Sequence, residues 1–184
     1  EGEAERRRYY YSVDLQGRLF LEEVSPKNVA TSLKDERFLD FFWKQLRPNA
    51  DDAEGNSYPF LSKCGREQNF VLPADMPIVF HSLQEDVLQW AGTMTCDFRP
   101  SALRVSSHTG RLYHELPAPR HGGGVLDNSP GMRFGLLRSS VAVSLASRLS
   151  VSQDGEYYVD DSLLIRPLDE AHEPTWGAWM YSGH

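Results

Sequence analysis

Apolar and polar residues alternate from Tyr9 to Val13 and again from Arg18 to Glu22, which places Tyr9, Tyr11 and Val13 on one side of the first run and Leu19 and Leu21 on one side of the second. Asp14 to Gly17 supplies turn chemistry between them, so the pair reads as a hairpin. The period changes at Asp35. Phe38, Phe41, Phe42 and Gln45 or Leu46 recur at helical spacing, Leu39 and Trp43 widen the stripe, and Asp35 is placed to cap. This predicts a helix over about residues 35–46, stopped by Arg47-Pro48-Asn49 because proline disfavours the α conformation in the residue before it.

Short apolar runs separated by turn residues follow and predict strands at Tyr58 to Leu61, Asn69 to Leu72, Pro77 to Leu83, Val87 to Ala91, Thr95 to Phe98 and Leu112 to His114. From Phe134 to Val151 the alternation of Val141, Val143, Leu145, Leu149 and Val151 reads as strand. Val141, Leu145 and Leu149 would also suit a helix, but the Ser and Val content favours strand. Asp154-Gly155 marks a further hairpin turn leading into Glu156 to Val159 and, past Asp160-Asp161, the run Ser162 to Ile165. The expected fold class is therefore α+β, a mostly antiparallel meandering sheet covered by one main helix. Residues 9–166 are expected to form a single globular domain, with a frayed, charged tail over residues 1–8 and a Trp-rich tail over residues 167–184.

Composition narrows the class. At 184 residues and 40% apolar content the chain is long enough for one good-sized core, as expected of a soluble globular protein. No apolar run approaches the roughly 18–20 residues that a membrane helix needs, so membrane insertion is not expected. A formal charge of -7 argues against a nucleic-acid-binding face, because neutralising phosphates needs a basic surface. Two cysteines, Cys64 and Cys96, are too few for a disulfide scaffold, and a reducing compartment is expected. Beginning at Glu1 without a methionine, the chain reads as a processed or trimmed polypeptide whose composition does not give its localisation.

The chemistry concentrates in Pro59 to Leu72, PFLSKCGREQNFVL, where Cys64, Arg66, Glu67 and Asn69 fall within six residues. Cys64 as a nucleophile would need a lowered pKa and a base, with Arg66 close in sequence and His81 on a strand that could pair nearby. No cysteine-enzyme signature surrounds it, and a partly buried structural thiol is the preferred reading. The spacings of Cys64, Cys96, His81, His108, His114 and His121 match no zinc pattern, so no metal is expected. Gly122-Gly123-Gly124 is not followed by Gly-Lys-Ser/Thr, and no cofactor is implied. Arg66 and Glu67 would point to opposite faces of an extended strand, so one of them is expected to meet a partner elsewhere, such as Tyr113 or His114. These residues form either a polar network that fixes strand register or a pocket in which the guanidinium reads an anion. Cys64, Arg66, Glu67, Asn69, His81, Tyr113 and His114 are thus the candidate ligand-binding or structural set.

The segments YYYSVDLQGRLFLEE, KNVATSLKDERFLDFFWKQLRPN, YPFLSKCGREQNFV, MPIVFHSL and GRLYH together resemble Uncharacterised Protein Family 0598 over roughly Tyr9 to Val151, most specifically around Cys64-Gly65-Arg66-Glu67 and Asn69-Phe70. The family has proteobacterial and mitochondrial members, and the resemblance implies a soluble mitochondrial or bacterial-type protein of unknown activity. Two features depart from its pattern: extra residues within Gly122 to Leu137, and the ending that carries Trp176, Trp179, Met180 and Tyr181. The latter four are candidates for docking on a partner. The functional expectation is a non-catalytic accessory subunit or interaction domain with protein partners in a mitochondrial assembly, a respiratory complex or a ribosome. The alternative is a small-ligand binder or enzyme with its site around Arg66, Glu67, Asn69 and His81.

Overall fold

The first two runs pair as their alternation predicts. In the computed structural model, which describes residues 7–50, 57–117 and 131–176, β1 (Arg7–Val13) and β2 (Leu19–Leu21) form an antiparallel hairpin in which Tyr11 faces Leu21 and Val13 faces Leu19. Asp14 closes the turn: its carboxylate accepts from the backbone N–H groups of Gln16 and Arg18, each at 2.9 Å, and from Arg18 Nε at 2.7 Å. Helix α1 (Glu36–Lys44) starts where Asp35 Oδ1 accepts from Phe38 N at 2.7 Å, and it buries Phe42 and Trp43. Past Gln45 the chain turns directly into β3 (Leu46–Pro48), an edge strand, where a proline costs no ladder bond.

β3 adds to β4 (Phe60–Cys64), and β4 to β5 (Glu67–Pro73), all antiparallel, but β5 pairs parallel with β1. The resulting sheet has the order β2-β1-β5-β4-β3. The segment expected as one strand from Pro77 to Leu83 is two short ones, β6 (Val79–Phe80) and β7 (Ser82–Gln84), which belong to different sheets. β7 continues into β8 (Val87–Trp90) and β9 (Met94–Asp97), a three-stranded antiparallel sheet. A second five-stranded sheet has the order β16-β10-β11-β12-β6, built from β10 (Leu103–Val105), β11 (Leu112–Glu115), β12 (Phe134–Leu137) and β16 (Arg166–Pro167).

After β12 the chain forms α2 (Ser139–Ser144), and the extended reading of this stretch is corrected: Val141 and Leu145, one helical turn apart, are buried, while Val143 points to solvent. Helical spacing therefore outweighed the β-branched composition. β13 (Leu149–Val151), β14 (Tyr157–Val159) and β15 (Leu163–Leu164) complete a small antiparallel sheet.

The expected architecture, one mostly antiparallel meander covered by a single main helix, is overturned. The described chain forms four sheets and two α-helices, and three of its ladders, β1 with β5, β10 with β16 and β12 with β6, are parallel. Buried side chains from several sheets and both helices meet in one cluster that includes Tyr11, Phe42, Phe60, Phe80, Leu88, Tyr113, Phe134, Val141 and Val159. Among the described residues no helix is long and apolar enough to cross a membrane.

Arg148 ties the two smaller sheets together. Its Nε and Nη2 each donate to Asp160 at 2.8 Å, and Nη1 donates to Asp86 at 3.1 Å. Both acceptors sit in hairpin turns at left-handed backbone angles, φ 52° for Asp160 and 59° for Asp86.

Candidate functional site

The chemically dense stretch is the β4–β5 hairpin. Cys64 faces Glu67 as the last pair of the ladder, and Gly65-Arg66 forms a two-residue turn. Gly65 has φ +62° and Arg66 does not share the positive sign, the pattern of a type II′ turn, which requires glycine first. Arg66 is exposed at this tip, and Tyr113 and His114, where one of Arg66 and Glu67 was expected to find a partner, bond to Asp75 and to backbone groups.

Behind the tip the polar side chains are taken up by the sheet and its helix. Ser62 and Asn69 face each other across the ladder and are both buried. Ser62 Oγ donates to the carbonyl of Phe42 at 2.7 Å, fixing helix α1 to the sheet. With that hydroxyl proton committed, the Cys64 thiol, 3.8 Å from Ser62 Oγ, is left to donate. Burial pushes the Cys64 thiol up, the Ser62 hydrogen bond pulls the other way, and the charge of Glu67 adds to the rise. Tyr11 on the neighbouring strand is pushed up to about 12, chiefly by burial and then by Glu67. A thiol and a phenol both held protonated do not make a nucleophile and base. Among the described residues none bonds to the buried Oδ1 of Asn69.

The remaining predicted residues lie elsewhere. His81, between β6 and β7, places Nε2 3.1 Å from the Ala91 carbonyl, and burial lowers its pKa. His114 on β11 accepts from Arg99 N at Nε2, 3.0 Å, and donates from Nδ1 to the Glu115 carbonyl at 2.7 Å. Burial lowers its pKa to about 4, so the ring is neutral with the proton on Nδ1 and both nitrogens engaged by backbone. Tyr113 instead meets Asp75: its hydroxyl donates to Oδ2 at 3.1 Å, the oxygen that also takes Arg111 Nη1 at 2.7 Å. Trp176 belongs to the same neighbourhood, its indole Nε1 donating to the Asp75 carbonyl at 2.6 Å and its ring standing edge-on to Phe60 at 5.1 Å. Trp179, Met180 and Tyr181 lie outside the described residues. Among the described residues no group of three or more His, Cys, Asp and Glu is arranged to hold a metal.

A surface cavity of about 340 Å³ opens beside the parallel seam, lined by Arg8, Tyr9, Tyr10, Leu21, Glu22, Glu23 and Tyr58. Its aromatic wall is continuous with the hairpin, because Tyr10 lies 5.0 Å from Tyr58 and 5.3 Å from Phe70 of β5, ring centre to ring centre. None of Arg66, Glu67, Asn69 or His81 lines it.

The family model described as Domain of unknown function (DUF4505) matches residues 1–163, most of the chain and all of the signature hairpin. The chain belongs to this family. Among solved structures, a DUF1285 family protein from Silicibacter pomeroyi DSS-3 is similar, with a TM-score of 0.49 and 11% identity over 90% of this chain and 85% of that one.

In this DUF4505 domain the residue that sequence reasoning missed is Asp75. It is 2% exposed and holds Arg111, Tyr113 and, through its backbone, Trp176. One signal was present: Asp75 is the lone charge in the run from Phe70 to Phe80, and a carboxylate there is stable only with partners.

Proposed function

We propose that this chain is a non-catalytic, protein-interaction domain that serves as an accessory subunit of a mitochondrial multiprotein assembly. The observation that carries the reading is the engagement of its reactive side chains by the fold: Ser62 on a helix carbonyl, Cys64 kept protonated, and both nitrogens of His114 on backbone groups. A general base needs an accessible lone pair near the proton it removes, and His114 offers none. The mitochondrial placement rests on the resemblance of residues 9–151 to Family 0598, and the choice between respiratory complex and ribosome rests on that placement. None of Arg66, Glu67, Asn69 and His81 lines the cavity beside the parallel seam; Arg66 is exposed at a hairpin tip and His81 lies between β6 and β7.

Native gel migration of a mitochondrial extract, followed with an antibody to the chain, tests the reading. Co-migration with a large species is expected, and migration as a free monomer of 20.9 kDa would overturn it. Because Trp176 is packed on Phe60, a truncation that probes the ending should begin at residue 177, and loss of co-migration without loss of folding would place the contact there.

A further inference from the structure

We propose that residues 168–176 form a strap across the second five-stranded sheet that protonation of His172 releases while the sheets stay folded. The proposal goes beyond the interaction reading above and does not rest on it. The strap enters from β16, where Leu168 N donates to the Val105 carbonyl at 2.8 Å. Among the described residues, its further backbone bonds are internal, from His172 N to the Asp169 carbonyl at 2.8 Å and from Glu173 N to the Glu170 carbonyl at 3.2 Å. Side chains at three points hold the rest. His172 stands edge-on to Phe134 at 5.2 Å, Glu173 Oε2 accepts from Ser106 Oγ at 3.0 Å, and Trp176 bonds to the Asp75 carbonyl and packs on Phe60. Gly131, at φ +81°, clears the slot for that indole, since a side-chain carbon there would stand 2.8 Å from its ring. A segment held without ladder bonds is the kind that opens locally, ahead of the global transition.

His172 is buried, and among the described residues nothing bonds to its Nδ1. A neutral ring tolerates this by keeping its proton on Nε2 and leaving Nδ1 a lone pair, whereas an imidazolium must place an N–H there with no acceptor. The surrounding charges add to that cost. Arg133, just before β12, and Arg104 of β10 share the Phe134 ring, their guanidinium carbons 5.4 and 5.7 Å from its centre. Glu115 of β11 is already taken by Arg133 Nε at 3.1 Å, with Arg99 Nη2 at 3.8 Å. On the strap itself Asp169 and Glu170 are exposed, and Glu173 is turned to Ser106. Burial lowers the pKa of His172, the charge of Arg133 adds to the lowering, and Asp169 opposes it. Docking is therefore at full strength above the ordinary value of about 6.5 and weakens as pH falls through the lower value of the docked ring.

The test follows the isotope-labelled full chain by NMR from about pH 7.5 to about 4.5, reading the His172 ring, the Trp176 indole N–H, the Leu168 amide and the amides of β4 and β5. The expected result is that the strap signals move to exposed-chain positions with a midpoint that coincides with the His172 titration, while the β4 and β5 amides keep their folded positions. His172→Phe keeps an aromatic ring on Phe134 but takes no proton, and its strap is expected to stay docked to the end of the range. Glu173→Gln is expected to keep the pH-dependent release. Strap and sheet signals lost together, a strap docked throughout in the unaltered protein, release in His172→Phe at the unaltered midpoint, or release abolished in Glu173→Gln would overturn the proposal. The coincidence of the two midpoints is read on the unaltered protein and decides whatever the variants do, a mismatch overturning the proposal as well. None of these outcomes bears on the native-gel result.

Discussion

The hydroxyl of Tyr113 donates to the same carboxylate oxygen of Asp75 that accepts from Arg111, although the tyrosine and the aspartate are 38 positions apart. Tyr113 is completely buried and its pKa is driven strongly upward, first by burial and then by Asp75, so the phenol is a fixed donor. Tyr113→Phe removes one buried hydrogen bond and is expected to cost about 1–2 kcal/mol. Asp75→Ala strips the acceptor from both neighbours and is expected to cost about 3–5 kcal/mol. Urea denaturation of both single variants and the double variant measures the coupling; strict additivity would show that the two side chains do not act as a unit.

Acid should destabilise the protein through His114. Its folded pKa of about 4 lies below the ordinary 6.5, so the unfolded chain binds the proton more readily. The contribution is whole above about pH 6.5 and is lost as pH falls through about 4, amounting to about 3 kcal/mol. His81 and His172, also lowered by burial, act in the same direction. In His114→Gln the fall in urea midpoint between pH 6.5 and 4 should be visibly shallower than in the unaltered protein; an identical slope would remove His114 from the account.

Both thiols should be slow. Burial is the leading cause that raises Cys64, and it carries Cys96 to about 11. Alkylation of the native protein at pH 7 is expected to lag well behind free cysteine, to speed up as pH rises, and to equal the free rate only after denaturation. Rapid stoichiometric labelling of Cys64 at neutral pH would restore the nucleophile reading.

Arg148 offers a separate test because its contacts are half in solvent. Arg148→Lys keeps the charge and loses the two parallel bonds to Asp160, and is expected to lower the urea midpoint slightly, with the difference shrinking at high salt. The measurement is the urea midpoint at low and high ionic strength, and a loss independent of salt would indicate packing against Phe98, whose ring lies 5.1 Å from the guanidinium, as the main term.

Local features were legible in the sequence and remote pairings were not. The hairpin ending at Leu21 and the Asp35 cap follow from alternation and from one short polar side chain, both written in neighbouring residues. The parallel seam of β1 with β5 leaves no such trace, because a strand's partner across a long connection is not encoded in its own alternation. Gly65-Arg66 was legible as a turn only from the glycine, and reading Arg66 and Glu67 as extended pointed one of them toward Tyr113 or His114, whose polar atoms meet Asp75 and backbone groups. Asp75 escaped because its partners Arg111 and Tyr113 come from β11 and the turn before it. α2 was misjudged because six residues hold too little periodicity to separate Val141 and Leu145 as a helical pair from a β-branched alternation.

The parallel seam also sets an order of assembly. β4 and β5 are joined by two residues and close quickly, whereas β1 meets β5 only when Tyr9 has found Asn69 across most of the intervening chain. Until then one side of β5 is an unpaired edge carrying Phe70 and Val71, open to a strand from another molecule. The hairpin ending at Leu21 therefore acts during folding as an intramolecular guard for that edge, and variants that weaken β1 are expected to reveal themselves first as aggregation on refolding.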